Sequence, residues 1–324
     1  MRRIHETLLT LLIFYMGIPA SGYCKNEPLY QPFWTGSLLS RSGKVVDPGH
    51  YNIEPYFFDE EFYSLYDKHW NLHTAPHLTS LRSLTISYIG LVDRVDFIVD
   101  PRVHYNRSQG RSSIHLADTT LGFGYQLIKE EEKTWVPYVR LIIEETLPTG
   151  KFDNLNPNKL GTDATGTGAY GTTIGVSIQK LYILDNRHPL RMRFNAFITG
   201  FGKVRVKGFN TFGGGFGTHG AVHVGDIFEA ILAAEYSLTQ NWVFAIDLGY
   251  LHTGRTSFRG FPGITATGAL ATVGNPSSEV FSLAPAVEYN FNKHVGIIGG
   301  IWFSLAGRNV PAFINPTIAV NIVY

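Results

Sequence analysis

Along most of this chain, bulky apolar residues occupy every second position. From Val95 to Tyr105 one parity carries Val95, Phe97, Val99, Pro101, Val103 and Tyr105, and the other Asp96, Ile98, Asp100, Arg102 and His104. A side-chain period of two puts these sets on opposite faces of a β-strand. The pattern recurs. Trp135, Pro137, Val139, Leu141 and Ile143 oppose Tyr138, Arg140, Ile142 and Glu144. Met192, Phe194, Ala196 and Ile198 oppose Arg191, Arg193, Asn195 and Phe197, and the last residues from Phe313 to Tyr324 alternate likewise. In all, about twelve strands are expected. Two early ones, near Tyr51–Phe58 and Leu81–Gly90, alternate less cleanly, and the facing of the second stays open. A short amphipathic loop helix is expected over Asp59–Trp70, where Phe62, Tyr66 and His69 fall at near-helical spacing.

The links between strands also alternate. Val92–Arg94, Lys129–Thr134, Asp185–Pro189, Thr239–Asn241 and Asn292–His294 are short. Lys151–Gly168, Gly208–Gly225 and Thr253–Ser278 are long and rich in glycine, asparagine and threonine. Short turns on one rim and long loops on the other are how outer-membrane barrels are built. Tyr125, Tyr236, Tyr289 and Tyr324 end descending strands, while Trp135 and Trp242 open ascending ones. All six then share one height, as an interfacial aromatic girdle requires. The expected fold is all-β: a transmembrane, antiparallel, up-and-down β-barrel of about 12 strands over residues 50–324.

At the start, Arg2 and Arg3 precede an apolar core from Thr7 to Pro19, and then the small residues Ala20-Ser21-Gly22. This is too short for a spanning helix and reads as a secretory signal over residues 1–22. Tyr23 before Cys24 argues against lipidation, and one cysteine forms no internal disulfide. Residues 23–49 form an N-terminal periplasmic or plug segment, with Phe33 and Trp34 as candidates to fold inward. Removing the signal lowers basic residues from 27 to 25 and acidic ones from 26 to 25. A neutral chain lacks the basic stripe of a nucleic-acid binder. Charged residues are 16% and aromatic residues 14% of the sequence, a balance suited to membrane contact hidden in alternation.

Three stretches resemble the family of outer-membrane barrels named for the MetA pathway of phenol degradation. They are Thr35–Leu39 leading to Gly49-His50-Tyr51-Asn52-Ile53-Glu54-Pro55-Tyr56; Trp70-Asn71-Leu72-His73; and Leu147-Pro148-Thr149-Gly150-Lys151-Phe152 followed by Gly161-Thr162 and Gly166-Thr167-Gly168. These motifs mark strand ends and turns rather than chemistry. The resemblance implies a bacterial outer-membrane transporter. The strand ending on an aromatic carboxy-terminal residue, Tyr324, is similar to the signal read by the barrel assembly machinery.

Charge facing lipid near the midplane costs ~2–4 kcal/mol for arginine, so charged residues on strands are expected to face inward. Lumen-lining and selectivity candidates are Glu54, Asp96, Asp100, Arg102, Arg140, Glu144, Arg191, Arg193, Glu229, Glu235, Asp247 and Glu288. They either pair with one another and plug a narrow barrel or line a pathway that biases which solutes pass. Arg140 and Glu144 share a face, and with Arg191 and Arg193 they suggest an arginine–carboxylate ladder. The inward glycines Gly122, Gly124, Gly171, Gly175, Gly249, Gly296 and Gly300 are expected to keep the wall thin and favour an opening. Inward Ile142, Phe197, Ile231, Ile298 and Trp302 add apolar patches.

No catalytic residue, metal or cofactor is expected. The chain has no His-x-Ser pair of the kind outer-membrane acyl hydrolases use, His77-Leu78-Thr79 being nearest, and His115 and Asp118 do not share a strand face. His219 and His223 flank a glycine-rich stretch that disfavours a helix; a surface loop is expected there rather than a metal site. The glycines around Gly166–Gly168 lack the context of a phosphate loop. The expected role is a channel or transporter passing small solutes, hydrophobic or aromatic ones included, by passive diffusion through the lumen. The alternatives are a structural or surface-interaction (adhesin-like) barrel and, less favoured, an outer-membrane hydrolase. Expected partners are outer-membrane lipid and lipopolysaccharide, the assembly machinery and small solutes, with no nucleic acid.

Overall fold

The computed structural model describes residues 27–131 and 134–324. The expected signal, residues 1–22, and Cys24 lie outside them. Strands run in chain order β1 (Tyr51–Tyr66), β2 (Leu72–Val92), β3 (Val95–Asp100), β4 (Arg102–Ser108), β5 (Arg111–Leu116), β6 (Thr119–Ile128), β7 (Tyr138–Leu147), β8 (Gly171–Ile183) and β9 (Pro189–Phe201). There follow β10 (Lys203–Lys207), β11 (His219–His223), β12 (Ile227–Ser237), β13 (Trp242–Thr253), β14 (Ser257–Phe261), β15 (Ser278–Asn290), β16 (Val295–Arg308) and β17 (Val310–Val323). Pro101, which has no N–H to give, divides β3 from β4. Ala117-Asp118 divides β5 from β6. Each of these pairs counts as one stave, and the barrel has twelve. It closes because β1 pairs antiparallel with both β2 and β17, which leaves no sheet edge in the hydrocarbon layer.

The outward parity supplies an apolar band: Phe57, Ile174, Ile198, Phe244, Ile301 and Ile318 are all exposed. The inward parity is buried and mixed. Among the described residues no helix is long and apolar enough to cross a membrane. The expected helix over Asp59–Trp70 is absent. Residues 59–66 continue β1 and pair with β2 and β17 across a bulge between Phe62 and Ser64. Phe62 and Tyr66 lie four apart, a spacing that fits a helical face and a strand face alike, and closing the barrel satisfies far more backbone groups than one exposed helical turn. The facing of β2 is resolved as well. Ser80, Tyr88 and Gly90 are buried while Leu81, Ile89 and Leu91 are exposed. Its parity is blurred because Ile86 and Tyr88 pack inside with Ile98, Ile142, Phe197 and Val46, so both faces are apolar.

The lumen is occupied by the chain itself. The segment before β1 enters at the short-turn rim, where the Phe33 N–H donates to the Gln240 carbonyl (2.9 Å). It crosses the interior and returns to the same rim, where the Gly49 N–H donates to the Gly90 carbonyl (3.0 Å). Leu38 is 2% exposed and sits among Ala245, Ala284, Ala286, Ile298 and Ala319. Four inward alanines leave the space one leucine fills, so the packing is complementary in volume. The inward glycines do the same rather than opening a bore. A Cβ at Gly296 would lie 2.0 Å from Thr35 Oγ1, and one at Gly175 2.0 Å from Phe197 Cδ1.

Above the long-loop rim stands a three-stranded sheet in the order β10-β11-β14. The stretch expected as a loop around His219 and His223 is its central strand. Val204, Val206 and Val222 pack with Ala169 and Phe212 on the covered face, and that burial outweighs the glycines' preference for irregular backbone.

Candidate functional site

The lumen divides into a lower, filled half and an upper chamber. In the lower half, side chains from the wall grip the backbone of the N-terminal segment. The Leu38 and Ser40 N–H groups donate to the two oxygens of Asp247, at 3.0 and 3.1 Å. Thr35 N–H donates to Glu288 (2.8 Å) and Val46 N–H to Asp96 (3.1 Å). Asn195 is bonded twice, accepting from the Arg41 N–H (2.6 Å) and donating to the Arg41 carbonyl (3.1 Å). Gln126 does likewise, accepting from Val45 N–H (2.9 Å) and donating to the Gly43 carbonyl (2.8 Å). Asn321 donates to the Thr35 carbonyl (2.7 Å) and Asn290 to that of Phe33 (3.1 Å). A segment without secondary structure has no internal partners for its backbone, so its burial requires this set of acceptors and donors.

Arginines stitch the same region. Arg140 pairs with Asp96 at 2.6 Å, both essentially buried, and its guanidinium lies 5.1 Å from the Tyr88 ring centre. Glu235 pairs with Arg193 at 2.8 Å and also with Arg191. Arg191 stacks over Trp34 at 4.3 Å, and Arg193 donates to the Ser40 carbonyl at 3.0 Å. The expected arginine–carboxylate ladder therefore exists, with different rungs. Arg140 and Glu144 do not pair; Glu144 pairs with Arg41 of the segment. Asp100 holds its near neighbour Arg102 at 2.5 Å. Glu54 accepts from Asn52 at 2.7 Å on its own strand. Glu229 makes no hydrogen bond or ion pair among the described residues.

A cavity of about 460 Å³ beside the segment is lined by Trp34, Tyr88, Arg140, Ile231 and Trp302 among others. A second, of about 480 Å³, lies above it and is rich in hydroxyls from Thr120, Thr146, Thr165, Thr173 and Thr199. Arg41, Arg102, Phe197 and Glu229 line both, and so mark the neck between them. Asp118 at the β5–β6 break accepts from the Gly150 and Thr167 N–H groups, at 2.9 and 2.8 Å, and ties the Lys151–Gly168 loop over the upper chamber.

The six aromatic candidates lie at the short-turn rim. Trp242 and Tyr289 pack at 4.7 Å, and Tyr324 stacks on Tyr51 at 5.6 Å. Tyr236 accepts from Asn186 at 2.9 Å, Tyr125 pairs with Val95 beside a tight turn, and Trp135 is 76% exposed. His115 faces His104 across β4–β5, away from Asp118, whose oxygens serve backbone amides. No group of three or more metal-ligating side chains occurs among the described residues.

Ranking inward strand residues by charge missed the amides Gln126, Asn195, Asn290 and Asn321, and it missed Arg41 because that residue lies before the first strand. An inward parity carrying amides near the short-turn ends was the available signal. Amides both donate and accept, and so they match an extended backbone.

A closed twelve-stranded barrel, apolar outside and polar within, is the fold of an outer-membrane β-barrel protein. The family model described as "Putative MetA-pathway of phenol degradation" matches residues 72–315, and the chain belongs to this family. The COG4313 outer membrane channel from Pseudomonas putida F1 shares the fold, with a TM-score of 0.65 at 15% identity over 88% of this chain and 99% of that one. The transport unit of the autotransporter AIDA-I from Escherichia coli aligns with a TM-score of 0.46 at 8% identity, covering 89% and 93% of the two chains. A TodX deltaS2S3 mutant monoaromatic hydrocarbon channel aligns at 0.42 and 13% identity, covering 93% and 97%. No curated protein matches the sequence.

Proposed function

We propose that this barrel passes small solutes by passive diffusion, entering through the upper chamber and leaving past the N-terminal segment. The observation that carries this reading is the neck formed by Arg41, Arg102, Phe197 and Glu229 between two chambers of similar size. The neck sets the buried Phe197 ring, covered by the Arg41 guanidinium at 5.2 Å, beside an unpaired carboxylate. Hydroxyls line the approach. Such a passage suits compact solutes with one apolar face, of the size of a single aromatic ring. The match to a structure titled an outer membrane channel supports the reading, as does membership of a family named for phenol degradation. Of the inward charges, Asp96, Arg140, Glu144, Arg191, Arg193, Asp247 and Glu288 hold the segment and Glu235 sets the two neighbouring arginines, whereas Glu54, Asp100, Arg102 and Glu229 face the passage; the six rim aromatics anchor the barrel at the membrane interface.

The test is reconstitution. In planar bilayers the protein should give discrete conductance steps, and liposomes carrying it should take up a phenol-sized solute. Phe197→Trp should slow that uptake several-fold. Neither conductance nor uptake from the intact protein would favour a surface-interaction barrel and overturn the proposal.

A further inference from the structure

The outer face of the three-stranded sheet is basic, with no acidic residue at its strand positions. On β10, Lys203, Arg205 and Lys207 are exposed, while Val204 and Val206 between them are buried. Register places Ala221 opposite both Arg205 and Arg259, so one row across the sheet reads Arg205–Ala221–Arg259. Lys203 pairs with His223 and Lys207 with His219 on either side of that row. At a strand spacing of ~4.8 Å the two arginines stand about 10 Å apart over a methyl group, flanked by two lysines. The strand positions of this face hold no acidic residue; the Asp153 carboxylate at the β10 edge accepts from the Lys207 N–H (3.2 Å), and none of the four cations makes an ion pair among the described residues. Lys203, Arg205 and Lys207 repel one another along β10 and Arg259 adds to them across β11, so this array stands at a cost until an anion fills its centre.

Its position selects the anion. β10, β11 and β14 prolong β9, β12 and β13 in the same lateral order, after breaks at Gly202, Gly225 and Gly254. The covered face packs on Phe152, Phe201 and Phe212, and Phe201 lines the upper chamber. The basic face is therefore turned away from the barrel axis. It begins about 17 Å along the strand beyond lipid-facing Ile198, at ~3.3 Å per residue, and less in height because barrel strands tilt. In an outer membrane that is the level of the lipid phosphates in the external leaflet.

We infer that this face is a binding site for the phosphates of lipopolysaccharide, with one phosphate seated over Ala221 between Arg205 and Arg259. Guanidinium forks suit phosphate oxygens, and the lysines add point charges. The site is independent of whether the lumen conducts.

The experiment titrates the full barrel in detergent with bis-phosphoryl lipid A and with its phosphate-free form, at low and high salt. The intact protein should bind the phosphorylated lipid at least tenfold more tightly than the phosphate-free one, with the difference shrinking as salt rises. Arg205→Gln/Arg259→Gln should remove that preference while the heat-modified gel shift of the folded barrel stays. Should that pair fail to fold, Lys203→Gln/Lys207→Gln provides the same test on exposed flanking side chains. Equal affinity for both lipids, or an unchanged preference in a folded variant, would overturn the inference. So would loss of binding to a soluble polyanion such as heparin while lipid A affinity is untouched, because the occupant would then come from the medium.

Discussion

The lower and upper halves of the lumen are built from the same wall and put to opposite uses. Below, Asp96, Glu235, Asp247 and Glu288 all have partners, and the amides of Gln126, Asn195, Asn290 and Asn321 are spent on the N-terminal backbone. Above, hydroxyls pair with each other, as Thr120–Thr146 at 3.1 Å and Thr173–Thr199 at 2.7 Å, and Glu229 makes no hydrogen bond or ion pair among the described residues. Polar groups committed to a backbone segment fix one arrangement; hydroxyls that bond only to one another can turn to water and solute. The contrast teaches that inward charge in a barrel is not by itself evidence of a pathway. What matters is whether the charge already has a partner.

The comparison breaks most readily at Glu235, which is fully buried between Arg191 and Arg193. Glu235→Gln leaves two buried guanidinium groups facing each other without their shared counter-charge. Breaking buried pairs of this kind costs about 3–5 kcal/mol. The temperature at which the folded band disappears in heat-modifiability gels should fall clearly. A variant as heat-resistant as the parent would mean that the lower half is not held by its ion pairs.

A smaller effect sharpens the upper half. In the Lys151–Gly168 loop, burial acts to raise the Asp163 carboxyl. The Lys151 ammonium at 2.6 Å and the Asn156 N–H at 3.0 Å outweigh it, holding the group below its ordinary value. A carboxylate with a lowered native pKa contributes stability that is present above the unfolded value, ~3.9, and lost as pH falls through the native one. Protease nicking of this loop should therefore rise below about pH 4, and Asp163→Asn should show the raised nicking already at neutral pH. A flat profile would mean that Asp163 does not order the loop.

Much of the barrel was legible because alternation is a local signal. Val95–Tyr105, Trp135–Ile143 and Phe313–Tyr324 each declare their faces, and the short and long links between strands declare the two rims. Legibility failed where a second constraint shared the strand. β2 carries Ile86 and Tyr88 inward to meet Val46, and β1 changes parity at its bulge past Phe62. The inward charges were legible as inward. Their partners were not, because Asp247 and Glu288 bind backbone N–H groups of residues 35–40, and a backbone N–H leaves no mark in sequence. The glycines misled for a related reason: a missing side chain looks the same whether it leaves space empty or lets a neighbour in.

The central claim is that residues 33–47 narrow the lower lumen. Single-channel recording of the barrel lacking those residues, folded and compared with the intact protein, tests it most directly. The account predicts a conductance several-fold higher in the shortened chain, with Asp247→Ala giving smaller, flickering openings between the two. Identical conductance with and without the segment would contradict it.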